Sequence, residues 1–247
     1  MKIAINQYLQ KHGFEALRPK VVLFDMDGVL YDSMPNHAVA WQESMASFGI
    51  TMTAHDAYAT EGARGVDTIR KMVLEQQGRE LSAEEAQRMY DEKTRLFHLM
   101  PKPPVMTGIP ELMAQIHADD IQIGVVTGSG QRPLIARLLS DFGEYIDEQH
   151  IVTAYDVKRG KPAPDPYLMG LQKAGDLKPW QALVVENAPL GVQAGVAARI
   201  FTIAVNTGPL PDEQLLHAGA DLIFSTMTSL SQSWPSLITK TESMIDK

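Results

Sequence analysis

Apolar residues fall into two alternating patterns along this chain. Four short runs, 21–24, 121–127, 182–185 and 200–205, are almost continuously apolar, as expected of strands buried on both faces. Between them, 110–117, 131–142, 165–174 and 190–198 carry apolar residues at helical spacing, each flanked by Gly, Pro or Asp. The alternation predicts an α/β fold, a Rossmann-like doubly wound parallel sheet with helices on both faces. Ligands of such sheets bind beyond the carboxyl ends of the strands.

One region breaks the alternation. Helical spacing recurs over 37–48, 67–77 and 83–100 with no strand among them, and Pro101-Lys102-Pro103-Pro104 then stops the helix and stiffens the return. Residues 34–105 therefore read as an all-helical insert, and 1–33 with 106–247 as the sheet domain. Residues 1–19 predict an extra amphipathic helix, with Ile3, Ile5, Leu9 and Phe14 set to pack on the core.

Composition narrows the function. A chain of 247 residues buries roughly 70% of its unfolded surface and needs no covalent staple. Its formal net charge is −8, with 22 Lys plus Arg against 30 Asp plus Glu, which argues against nucleic acid as a partner. With no cysteine, thiol nucleophiles, disulfides and cysteine metal sites are excluded. The first ten residues lack the pattern of a signal peptide, and 191–205, interrupted by Gln193 and Arg199, falls short of a membrane span. The expectation is a cytoplasmic monomer with no membrane partner.

Chemistry gathers at the predicted strand ends. Asp25-Met26-Asp27-Gly28 follows the first run, and two close carboxylates favour a hard cation such as Mg²⁺. Thr127-Gly128-Ser129-Gly130 follows the second and offers a hydroxyl and free amides to an anion. Lys161 stands just before a proline-marked helix start, and Glu186-Asn187 ends a further buried run with two oxygen-bearing side chains. Each motif alone has an ordinary reading as turn, surface lysine or helix cap. Together, and in this order, they resemble the haloacid dehalogenase superfamily in its β-phosphoglucomutase-like branch, over about 20–225.

That resemblance implies roles. Asp25 is the nucleophile that forms an aspartyl-phosphate, and Asp27 is the general acid and base, protonated at the start. Thr127, Gly128 and Ser129 hold phosphate, Lys161 balances charge, and Asp25, Asp27, Glu186 and Asn187 bind Mg²⁺, the implied cofactor. The related dehalogenases need neither the second aspartate nor a metal, so the intact set implies a phosphoryl-transfer enzyme rather than a dehalogenase or a phosphate-sensing pseudoenzyme.

The insert carries the clue to substrate. In β-phosphoglucomutases the matching loop bears a lysine where this chain has Glu61 and an arginine where it has Gly65, and the core loop bears a lysine at Gly130. Arg64 is expected to compensate in part as a substrate-binding cation, and His37, with Asp32, matches the mutases. Glu61 beside an anionic substrate requires an intervening cation, so Glu61 is also a candidate metal ligand. The chain resembles a branch of the family that hydrolyses inorganic pyrophosphate with such a glutamate. Pyrophosphate is thus the expected small-molecule substrate, with a sugar-phosphate phosphatase or phosphomutase as the alternative.

Overall fold

The structure, a computed structural model, describes residues 1–130 and 132–242. Six strands form one sheet: β1 (Val21–Phe24), β2 (Gln122–Val126), β3 (Ile146–Val152), β4 (Ala182–Glu186), β5 (Phe201–Val205) and β6 (Leu222–Phe224). They are ordered β3-β2-β1-β4-β5-β6 and pair in parallel throughout. The strand order reverses between β1 and β4, and a crevice for ligands opens above that point.

Helices cover both faces. In chain order α1 (Lys2–His12) precedes β1, and α2 (Met34–Ser47), α3 (Ala54–Ala59), α4 (Gly65–Gln77) and α5 (Ala83–Leu99) follow it with no strand between. Then come α6 (Ile109–Ala118), α7 (Arg132–Phe142), α8 (Asp165–Lys173), α9 (Pro189–Ala197), α10 (Asp212–His217) and α11 (Met227–Glu242). The period of two along β1 sends Val22 and Phe24 into a large core shared with α1, α6, α7 and α11. Val21 and Leu23 point the other way, onto α8 and α9.

Several expectations need correction. The strands β3 and β6 escaped the apolar-run criterion because both are edge strands. Ile146–Val152 exposes Asp147, Glu148 and Gln149, and β6 is only three residues long. The helices α3, α10 and α11 were not foreseen either. Ile3 does not pack on the core; it is 73% exposed, because the helical repeat places Ile5, Tyr8 and Leu9 on the buried face. The expected start of the helix at Gln131 lies outside the described residues.

The four inserted helices have their own apolar cluster, built on Trp41, Met45, Ile69, Val73 and Met89. Capping boxes start two of them, Thr53 with Asp56 on α3 and Ser82 with Glu85 on α5. The chain leaves and re-enters the sheet domain at one place. The Asp32 amide donates to the Pro104 carbonyl (3.0 Å), and Tyr31 bridges to Val105. Among the described residues no helix is long and apolar enough to cross a membrane.

Candidate active site

The turn after β1 brings the paired aspartates to the crevice. The Asp25 amide donates to the Val185 carbonyl (3.0 Å), prolonging the β1–β4 ladder by one residue and fixing the carboxylate at the strand end. The chain then turns sharply at Gly28, whose φ is +77° and where a Cβ would lie 2.0 Å from Asn187 Nδ2. Both the conformation and the close approach of Asn187 require glycine there. Asp27 thus enters the site from a turn.

Lys161 is buried and holds three acceptors. Its Nζ donates to Asp25 Oδ1 (2.5 Å), the Val126 carbonyl (3.0 Å) and Glu186 Oε1 (2.7 Å). Burial alone would lower its pKa, but Asp25 and Glu186 outweigh that and raise it, so the ammonium stays charged. Burial drives Asp25 the other way, up to about 7, with Glu186 and Asp27 adding to the rise and Lys161 opposing it. Thr127 sits at the end of β2, where its Oγ1 accepts the Ser129 amide (3.0 Å) and shapes the turn beside Gly128.

The oxygen atoms left over fit a hard cation. Asp25 Oδ2 and Asn187 Oδ1 are both buried and without a hydrogen-bond partner. A buried carboxylate oxygen and a buried amide oxygen with no donor are costly unless a cation takes them, and an all-oxygen set suits Mg²⁺. Glu186 does not contribute to that set as expected. Its Oε1 accepts from Lys161 and from Tyr167 (2.7 Å), and its Oε2 from the Asn187 and Ala188 amides (3.1 and 3.4 Å). Glu186 anchors the lysine, and the backbone of Ala188, not the Asn187 side chain, begins α9. Among the described residues no three His, Cys, Asp or Glu side chains gather as a metal cluster.

A second buried chain of groups joins the insert to the turn. Asp27 Oδ1 accepts from Ser33 Oγ (2.6 Å) and lies 3.0 Å from His37 Nε2, while His37 Nδ1 lies 2.6 Å from Lys93 Nζ. An ammonium at Nδ1 makes that nitrogen the acceptor, so His37 carries its proton on Nε2 and donates it to Asp27. Burial and then Lys93 hold the imidazole neutral, with its pKa lowered. For Asp27, burial pushes the pKa upward, but the hydrogen bonds from His37 and Ser33 and the nearby Lys93 ammonium oppose it and prevail, so the pKa is lowered. Two donors on one Asp27 oxygen favour its ionised form over the protonated form expected of a general acid. Ser33, and not the exposed Asp32, makes the contact at this hinge.

Glu61 lies at the C-terminal end of α3, facing this network. Burial raises its pKa well above the usual carboxylate value, and Asp27 and Asp25 raise it further. Lys93, on α5, is the nearby countercharge; its own pKa is pulled down to about 8 by burial. Sequence reasoning missed Lys93, although it shares the helical stripe of Ala86, Met89 and Phe97 and so sits on the inward face. Arg64 is the clear misassignment. Its guanidinium turns away, with Nε on Asp67 Oδ2 (2.7 Å) and Nη1 on the Lys158 carbonyl (2.9 Å). Nor is there room for a larger residue at Gly65, where a Cβ would lie 2.1 Å from the Tyr90 ring, so the arginine that the resemblance led one to look for has no place here.

What remains between core and insert is a cavity of about 40 Å³, lined by Asp27, His37, Glu61, Lys93, Gly128 and Ser129 among others. That is far below the roughly 300 Å³ at which pockets for drug-sized ligands begin.

Comparison with known proteins identifies the family. The model of the haloacid dehalogenase-like hydrolases matches residues 19–199. Hexitol phosphatase A of Escherichia coli is 34% identical over 190 residues, covering 77% of this chain and 84% of that protein. The β-phosphoglucomutase of Bacillus subtilis is 26% identical, covering 86% and 92%. A solved structure from Bacteroides vulgatus with the provisional name beta-phosphoglucomutase is 47% identical, with a TM-score of 0.92 and coverage of 100% and 98%. These names fit the sugar-phosphate alternative and lend no support to the pyrophosphatase resemblance. Motifs, sheet order and relatives converge on one assignment: the chain belongs to the haloacid dehalogenase-like hydrolases, in their β-phosphoglucomutase-like branch.

Proposed function

We propose that this phosphohydrolase cleaves inorganic pyrophosphate through a phosphorylated Asp25. The observation that carries the reading is Glu61 on the wall of a cavity of about 40 Å³ between core and insert. A carboxylate at that place repels a phosphate unless a cation lies between, and the space suits a small inorganic anion better than a hexose. Asp25 Oδ2 and Asn187 Oδ1 would hold Mg²⁺, with Glu61 reaching it once substrate is bound. When bound, the ion would offset the negative charge of nucleophile and substrate.

The residues then divide the work. Asp25 attacks phosphorus and a phosphate leaves, while Lys161 and the Thr127–Ser129 turn stabilise the charge on the transferring group. Ionised Asp27, steadied by His37 and Ser33, accepts a proton from the water that opens the aspartyl-phosphate.

The names of the relatives favour a second reading, a sugar-phosphate phosphatase. Phosphate release from pyrophosphate and from hexose phosphates, with and without Mg²⁺, separates the two. Under the first reading Glu61→Ala loses at least about 100-fold in kcat/KM on pyrophosphate but far less on a small aryl phosphate. Equal losses on both substrates would remove the assigned role of Glu61.

A further inference from the structure

The loop that presents Glu61 is tied to the core by a residue that never meets the substrate cavity. Arg64 leaves the loop at the N-terminus of α4 and crosses to the core. Its Nη1 donates to the Lys158 carbonyl at 2.9 Å, and its Nε is held by Asp67 at 2.7 Å, which aims the guanidinium outward. The aliphatic part of the side chain lies on Gly160, where a Cβ would sit 2.7 Å from Arg64 Cγ. Gly160 immediately precedes Lys161, so the tie reaches the backbone that carries the central ammonium.

The same seam is closed by two further glycines. A Cβ at Gly62 would lie 3.0 Å from Lys161 Cδ, and one at Gly128 would lie 3.0 Å from the Gly62 carbonyl and 3.3 Å from that of Ala63. The absence of side chains lets the two loops meet backbone to backbone, and Arg64 adds the charged hydrogen bond alongside. A cleft of about 490 Å³ opens on the outer side of this tie, lined by Arg64, Asp67, Lys71 and Arg159.

We propose that Arg64 is a specificity-determining latch, which supplies from the protein the closing free energy that a small substrate cannot supply. A hexose phosphate would bring a sugar ring to the insert and contribute contacts of its own to closure. A diphosphate in the cavity of about 40 Å³ meets two charged side chains of the insert, Glu61 and Lys93, whose opposite signs leave it little net attraction toward the insert. For such a substrate the closed population depends on contacts between the two loops themselves, and those contacts set the apparent affinity. The substrate preference assigned to Arg64 rests on the pyrophosphate reading above, while the latch itself rests on geometry alone.

The test uses the full chain with Arg64→Ala and, as control, Arg159→Ala, which removes a neighbouring exposed guanidinium bound to Asp165 within the core. Two measurements are made: amide hydrogen exchange over 60–65 and 158–161, and kcat/KM with pyrophosphate and with a hexose phosphate. In Arg64→Ala the exchange should quicken about tenfold in both segments. Turnover of pyrophosphate should fall by about the same factor, and that of the hexose phosphate by less than about twofold. Arg159→Ala should match the wild type in both.

Unchanged exchange in Arg64→Ala overturns the latch. Quickened exchange with equal losses on the two substrates overturns its part in specificity. A wild type that leaves pyrophosphate intact overturns the pyrophosphate reading instead, and the exchange result then decides the latch by itself.

Discussion

Lys161 shows how a single side chain can organise a site. With three acceptors within 3.0 Å, its ammonium has no free donor, and each contact fixes a different strand end. Asp25, Asp27 and Thr127 were legible in the sequence because they follow buried apolar runs, and Lys161 because it precedes a proline-marked helix start; the fold then brings Lys161 onto Asp25. Lys93 was hidden by its surroundings: a lone lysine in a helix rich in charge reads as a solvated residue, and only its place on the apolar stripe marks it. Its lowered pKa gives a test. Lysine is charged below its pKa, so Lys93 holds its charge below about pH 8 and loses it above. If the charge serves substrate binding, kcat/KM should decline as pH rises through 8, and Lys93→Met should be slower and lack that limb. A limb that persists in the variant would assign it to another group.

At the scale of elements, two similar caps do different jobs. Thr53 and Ser82 each close a capping box, and replacing either with Ala should cost about 1 kcal/mol of stability in a denaturation curve. The helix begun by Thr53 is only six residues long and ends at the loop that presents Glu61. Thr53→Ala should therefore also lower turnover several-fold, whereas Ser82→Ala should leave it near wild type, because α5 has 17 residues to hold its register. Similar kinetics in both variants would show that α3 does not position Glu61. Elements were legible in proportion to their burial. The central strands are continuous apolar runs, while β3, at the sheet edge, mixes charged and apolar residues and carries no such signal. The six-residue α3 is too short for a helical period to declare itself.

For the molecule as a whole, acidity has a structural cost at one place in particular. Asp221 accepts the Thr202 amide (2.8 Å) beside β5, and burial raises its pKa from 3.8 to about 6. A carboxyl whose pKa is raised in the folded state contributes stability below its unfolded value and loses it as pH rises through 6. The shift is worth at most about 3 kcal/mol, and partial exposure lowers that to roughly 1 kcal/mol. Asp221→Asn keeps the acceptor oxygen and should raise the melting temperature at pH 8 by a few degrees, with little change at pH 4. A gain of equal size at both pH values would point to a cause other than ionisation. The insert, by contrast, costs the sheet domain little. It leaves and returns between hydrogen-bonded neighbours, Asp32 beside Pro104 and Tyr31 beside Val105, and it folds around its own cluster. A segment attached in that way can be lengthened, shortened or exchanged between descendants while the strand ends stay in register. Ancestry would then preserve the phosphoryl chemistry and let substrate choice drift, so relatives a third identical can share one reaction and differ in what they cleave.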